Sequence, residues 1–181
     1  MILASIKPYY YYLIAEGKKK IEVRKTALKN LPQDIAFYMS KDEKSFAKIP
    51  KEFQEKYRKH FGKVGMRVVC DKGYEYTFSH YEAEYQVTHV EQETMCLNQP
   101  ELIRYGKGNT LYGWHISDLK IYDKPKELSE FYRPCSYSGI CYSCNRFRPN
   151  GTPNDKPNDF CDGEITRPPQ SYMRVKELKE V

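Results

Sequence analysis

A chain of 181 residues can bury one real core but not two large ones, which leads us to expect one main domain plus an appendage. Its apolar stretches are interrupted by Lys, Glu or Asp well short of the roughly 20 residues a membrane-spanning helix needs. Lys7-Pro8 also comes too early for a secretory leader. The expectation is a soluble, cytoplasmic protein without a membrane partner. The net charge of +6 is a weak argument for a polyanionic partner, but its distribution is polarised. Lys18, Lys19, Lys20, Arg24, Lys25 and Lys29 crowd one stretch, and a mixed run from Lys41 to Lys63 reads as a solvated face. Between Gly73 and Ile103 there is no Lys or Arg, only acidic residues from Glu75 to Glu101.

In chain order, Ile2, Ala4 and Ile6 alternate with Leu3, Ser5 and Lys7, a strand with one buried face. Pro8 to Glu16 reads as a helix opened by Pro8 and closed by Gly17. Lys20 to Arg24 reads as a strand with Ile21 and Val23 inward and Glu22 and Arg24 on the other face. A strand at Ile35 to Met39 and a helix from Lys48 to His60 follow. Val64 to Phe78 is the clearest period-two run, with a bend or turn expected at Asp71-Lys72-Gly73. Tyr85 to His89 suggests a partner strand and Gln99 to Tyr105 a short helix. Leu111 to Tyr122 is a long strand whose parity breaks at Ser117-Asp118, which predicts a bulge. One or two helical turns are expected within Lys124 to Tyr132, and Tyr172 to Leu178 returns to a strand-like pattern expected to dock on the rest. The fold class is therefore α+β: a small, mixed, mostly antiparallel β-barrel with short helices at 1–123, followed by a cysteine-rich tail at 124–181.

Pro134 to Pro169 has little aliphatic content, so something other than apolar burial must hold it. Four of the six cysteines fall there, as Cys135-x5-Cys141-x2-Cys144-x16-Cys161. Thiolates in a Cys-x2-Cys turn, joined by two more, suit one tetrahedral structural zinc per chain with no open catalytic position. An iron–sulfur cluster, free thiols and disulfides are the alternatives, disulfides being disfavoured in a reducing compartment. Cys70, on the inward parity of its strand, reads as a small core residue; Cys96 carries no signal.

Gly17-Lys18-Lys19-Lys20-Ile21-Glu22-Val23-Arg24 fits the pattern G-x-K-x-x-E-x-R. With Ser5-Ile6-Lys7-Pro8 before it and Trp114-His115-Ile116-Ser117-Asp118-Leu119 after it, the stretch from Met1 to about Asp123 resembles the ASCH domain, the activating signal cointegrator homology domain. That resemblance implies a PUA-like β-barrel. The cysteine-rich tail with Arg167-Pro168-Pro169-Gln170-Ser171 resembles an extended subgroup common in bacteria and phages. It further implies a cleft lined by Lys19, Glu22 and Arg24, an RNA or modified-nucleotide ligand, or in some branches hydrolysis of acylated cytidine or RNA. In the amidohydrolase branch a threonine nucleophile stands where this chain has Glu22, a departure that leaves enzymatic activity open. The residue chemistry is compatible with a nucleotide: a guanidinium offers planar paired donors, Lys a mobile charge, and Glu an acceptor. Lys7 and His115 are further candidates beside the cleft. One or two of the tyrosines at 9–12 are candidates for stacking a base, the rest reading as core. An ordinary surface ion pair between Glu22 and Arg24 is the competing reading.

Overall fold

Residues Ile2–Ile6 form strand β1, and helix α1 (Pro8–Ala15) begins at once because Pro8 occupies a first-turn position where no amide donor is needed. The computed structural model describes residues 1–134 and 160–177. Gly17, with φ 70°, lets the chain leave α1 through the left-handed region that closes helices. Strands β2 (Ile21–Arg24) and β3 (Gln33–Met39) come next, then helices α2 (Glu43–Phe46) and α3 (Lys51–Arg58). Helix α3 starts later than the helix expected from Lys48, because the residue before a proline is pushed out of the helical region and Pro50 follows Ile49.

Strand β4 (Val64–Tyr76) is continuous through Asp71-Lys72-Gly73. The expected bend is a bulge: Cys70 faces Ile116 and Gly73 faces Trp114, so β4 uses one residue more than its partner. A short hairpin of two-residue strands follows, β5 (Phe78–Ser79) with β6 (Glu84–Tyr85). The strand expected to reach His89 stops at Tyr85. Thr88 instead caps helix α4 (His89–Met95), its hydroxyl accepting from the Glu91 amide while Glu91 accepts from the Thr88 amide. Asn98 and Glu101 repeat this reciprocal cap at helix α5 (Gln99–Gly106). Strand β7 (Leu111–Lys126) carries the bulge read from its parity: Val69 faces Ser117 and Arg67 faces Lys120, with Asp118 at φ 46°. A single 3₁₀ turn (Leu128–Glu130) then leads to β8 (Phe131–Pro134), with β9 (Phe160–Glu164), β10 (Tyr172–Arg174) and β11 (Lys176–Glu177) further on.

Six strands make one curled sheet in the order β10-β1-β3-β4-β7-β2, antiparallel except for β1 beside β3. It is a half-barrel in a mixed α+β fold, in agreement with the fold class read from the strand pattern. Inside it lie Ile2, Ala4, Ile6, Phe37, Val68, Cys70 and Trp114, packed against α1 through Tyr11 and Tyr12 and against α3 through Tyr57. The Cys70 thiol is pushed up to about 11 by burial, as suits an inert core residue. Strand β1 is buried on both faces rather than one. Leu3, on the parity expected to be open, is covered by Phe131, Ile165 and Val175 from the end of the chain. Strand β10 pairs with β1, placing Tyr172 opposite Ala4 and Arg174 opposite Ile2. A third cluster joins Ile21 and Val23 of β2 to Tyr76, Tyr85, Met95, Leu102 and Leu111, so α4 and α5 cover that face of β2. No helix among the described residues is long and apolar enough to cross a membrane.

Candidate functional site

A half-barrel leaves a seam, and here no backbone ladder joins β1 to β2. Arg24, near the end of β2, bridges the gap: its Nη2 donates to the Ser5 carbonyl oxygen on β1 at 2.7 Å. Ile21 and Val23 face α4 and α5, so alternation turns Glu22 and Arg24 toward the seam, beside Trp114 of β7. The guanidinium lies 5.3 Å from the centre of the Trp114 ring, within cation–π range.

Both faces of β2 are covered, so Glu22 and Arg24 are each only 7% exposed and Lys19 2%. The reading of Glu22 and Arg24 as an ordinary surface ion pair is thereby corrected. Glu22 sits between two cations, with Oε1 3.0 Å from Arg24 Nε and Oε2 3.5 Å from Lys19 Nζ. The Nε contact is one of charge, not an aligned hydrogen bond, and leaves that buried Nε without an acceptor. Lys19 Nζ donates to the Met95 carbonyl oxygen at 2.5 Å, at the C-terminal end of α4 where a helix favours positive charge. Burial depresses the Lys19 ammonium below its usual range, with Glu22 opposing that shift. Lys19, Glu22 and Arg24 are thus brought together as a tightly packed floor.

Above that floor is a cleft of about 600 Å³. Its walls carry the exposed cations Lys7, Lys48 and Arg104, which make no ion pair among the described residues. Five cations against two carboxylates, Glu22 and Glu101, leave the lining basic. Two aromatic faces flank it. Tyr10 of α1 is half-buried, its hydroxyl pushed up to about 12 by burial and by nearby Glu101 and Glu22. Tyr105 of α5 is 40% exposed. Of the tyrosines at 9–12, Tyr10 alone lines the cleft; Tyr11 and Tyr12 are core.

Among the sequence candidates, Lys7 joins the cleft and His115 does not: its Nδ1 is 2.6 Å from Asp71 Oδ1, away from the lining. The reason is register, since Ile21, which faces the helices, pairs with His115 whereas Glu22 pairs with Trp114. Lys18 and Lys20 also lie outside the lining; Lys18 Nζ donates to Tyr12 OH at 3.2 Å. Sequence reasoning missed Lys48, Arg104, Tyr105 and Gln170. The short helix read at Gln99 to Tyr105 carries Arg104 and Tyr105, but no local signal tells that this helix borders the seam. Of the four expected zinc ligands, Cys135, Cys141 and Cys144 lie outside the described residues, as does the side chain of Cys161 on β9. Among the described residues no group of three or more His, Cys, Asp or Glu side chains is placed to hold a metal ion.

No protein-family profile and no curated protein matches the chain. Solved structures do. The crystal structure of ASCH from Zymomonas mobilis aligns over 99% of this chain and 87% of its own, at 16% identity and a TM-score of 0.50. A tyrosine-to-phenylalanine variant of the same protein aligns over 99% and 90%, at 15% identity and a TM-score of 0.52. A serine-to-alanine variant aligns over 99% and 88%, at 14% identity and a TM-score of 0.52. At such identities the likeness is one of architecture, and the chain has the fold of the ASCH domain.

Proposed function

We propose that the seam cleft binds RNA or a single nucleotide, plain or modified. One observation carries this reading: three exposed, unpaired cations, Lys7, Lys48 and Arg104, ring a concave site whose walls include the Tyr10 and Tyr105 rings. Free cations meet phosphates, and aromatic faces stack bases. The buried floor serves a different purpose, holding fixed donors and an acceptor under whatever enters. For single strands, log K falls by about 0.7 per neutralised phosphate per log unit of salt. Two or three contacts therefore give a slope of roughly 1.4 to 2, measured by anisotropy of a labelled single-stranded RNA. Arg104→Ala is expected to weaken binding and flatten the slope by about one contact. A wild-type protein that binds neither RNA nor nucleotides at low salt overturns the reading.

A second reading, hydrolysis of a nucleic-acid substrate in the same cleft, is favoured by the depressed ammonium of Lys19 beside Glu22, the kind of pairing found at acid–base centres. Mixed RNA incubated with the protein separates the two: intact RNA supports binding alone, and loss of cleavage in Lys19→Met identifies an enzyme.

We also propose that Cys135, Cys141, Cys144 and Cys161 hold one structural zinc. Beyond the spacing, support comes from β8 and β9, which pair Pro134 with Phe160, the residues immediately before Cys135 and Cys161. Elemental analysis of protein purified without added metal should find one zinc per chain. Metal-free protein, or a pair of disulfides in it, would count against the site.

A further inference from the structure

The stretch from Ile165 to Val175 alternates anchors with free positions. Ile165, Pro169 and Val175 are buried. Ser5 Oγ donates to the Pro169 carbonyl oxygen at 2.6 Å, and the Ser5 amide donates to the Ser171 carbonyl oxygen at 3.4 Å. Tyr172 meets Trp114 edge-on, with ring centres 5.5 Å apart, and Trp114 in turn lies against the Arg24 guanidinium. Between the anchors at 169 and 171, Gln170 is exposed, lines the cleft, and makes no side-chain hydrogen bond among the described residues. Its neighbours on both sides are held by the same residue, Ser5, whose carbonyl also receives Arg24. The backbone of Gln170 is therefore fixed beside the clasp of the seam while its amide group stays free.

We infer that Gln170 is a specificity-determining contact that reads a base edge of the ligand in this cleft, an inference that rests on the nucleotide-binding reading above. The chemistry separates it from the other free groups of the lining. Lys7, Lys48 and Arg104 are donors only and suit phosphate, which is the same in every nucleotide. A carboxamide offers an acceptor and two donors on one plane, the pattern that matches the paired donor and acceptor of a base edge. Being neutral, it adds nothing to the attraction for phosphate. A residue held beside the Arg24 clasp thus contributes selectivity, and the basic wall contributes affinity. The C-terminal segment on this account is one wall of the site.

The test uses the full-length protein and four labelled single-stranded RNA pentamers, each of one base, bound across a salt titration. Wild-type protein is expected to prefer one of the four by about tenfold, the lower range of discrimination for one good paired contact. Gln170→Ala should compress that preference toward equality while leaving the salt slope unchanged, and Gln170→Glu should change its order by exchanging the two donors for acceptors. Gln170 is exposed, so both variants should fold, with the near-ultraviolet signal of Trp114 as the check. Gln170 variants that keep the wild-type preference overturn this inference and leave the binding reading standing. Wild-type binding without any preference does the same. Absence of wild-type binding to all four pentamers and to free nucleotides overturns both.

Discussion

Glu22→Gln is expected to lower the stability of the fold by about 3–5 kcal/mol, read as a large fall in the denaturant midpoint at pH 7. Glu22 is the carboxylate that neutralises two buried cations, Lys19 and Arg24, and both stay in place when its charge is removed. Lys19 would keep the Met95 carbonyl and Arg24 the Ser5 carbonyl, but neither dipole replaces a counter-charge in a site this dry. The double variant Glu22→Gln with Lys19→Met removes one of the stranded cations, and so should recover part of the loss, giving a coupling energy of about 0.5–3 kcal/mol. A single-variant effect within about 0.5 kcal/mol, as at an exposed pair, contradicts the buried floor. This also fixes how Glu22→Gln is used to probe function: ligand binding has to be measured well below the new midpoint, where the folded form still dominates. There, extra net positive charge strengthens attraction to phosphate, while any contact that needs a carboxylate acceptor is lost.

The second large effect is on acid stability. His60 is 1% exposed and lies at the meeting point of α1, α3 and β4, with its Nδ1 3.0 Å from Tyr11 OH and its ring against Tyr57. Gly65 makes room for it, since a Cβ there would come within 2.1 Å of Nδ1. Burial first, then the charges of Lys59 and Lys56, lower its pKa from 6.5 to about 4. The unfolded chain binds this proton first as pH falls, so stability is complete above about pH 6.5 and is lost as pH drops toward 4. A gap of this size is worth about 3 kcal/mol. Glu16 adds to the loss in acid: its carboxyl is held low by hydrogen bonds from Lys56 and Tyr57, and it sheds that benefit on protonation. The measurement is therefore comparative. Melting curves of wild type and His60→Gln between pH 7 and 4 should converge as pH falls, because the glutamine cannot titrate. Parallel curves would show that His60 takes up its proton without cost in the folded state.

Particular residues show how far local pattern reaches. Alternation alone separated Ile21 and Val23 from Glu22 and Arg24, and the parity break in β7 located the bulge at Asp118, because both are set by the two-residue period of a strand. The same logic failed at Thr88, where the capping pair Thr88-x-x-Glu91 was the stronger signal for α4 and the alternating Tyr85, Val87 and His89 the weaker. The run of tyrosines at 9–12 read as a mixed group of core and stacking candidates, but alternation did not tell which ring faces a ligand. That depends on the angle at which α1 crosses the sheet.

What the sequence by itself determined is the α+β class with its mostly antiparallel strands and the identity of the charged strand: period-two patterning, the helix-bounding Pro8 and Gly17, and the Gly17 to Arg24 motif are local, and local rules suffice for them. What only the tertiary structure decided is the environment of that strand. Topology places β2 at the far edge of the sheet from β1, α4 and α5 cover its outer face, and the chain end returns beside β1, so a pair of charges that alternation would leave in water is buried under a clasp. Lys7, Lys48, Arg104 and Gln170 come from four separate segments, and their convergence on one cleft follows from the three-dimensional path of the backbone, which no short stretch of sequence encodes.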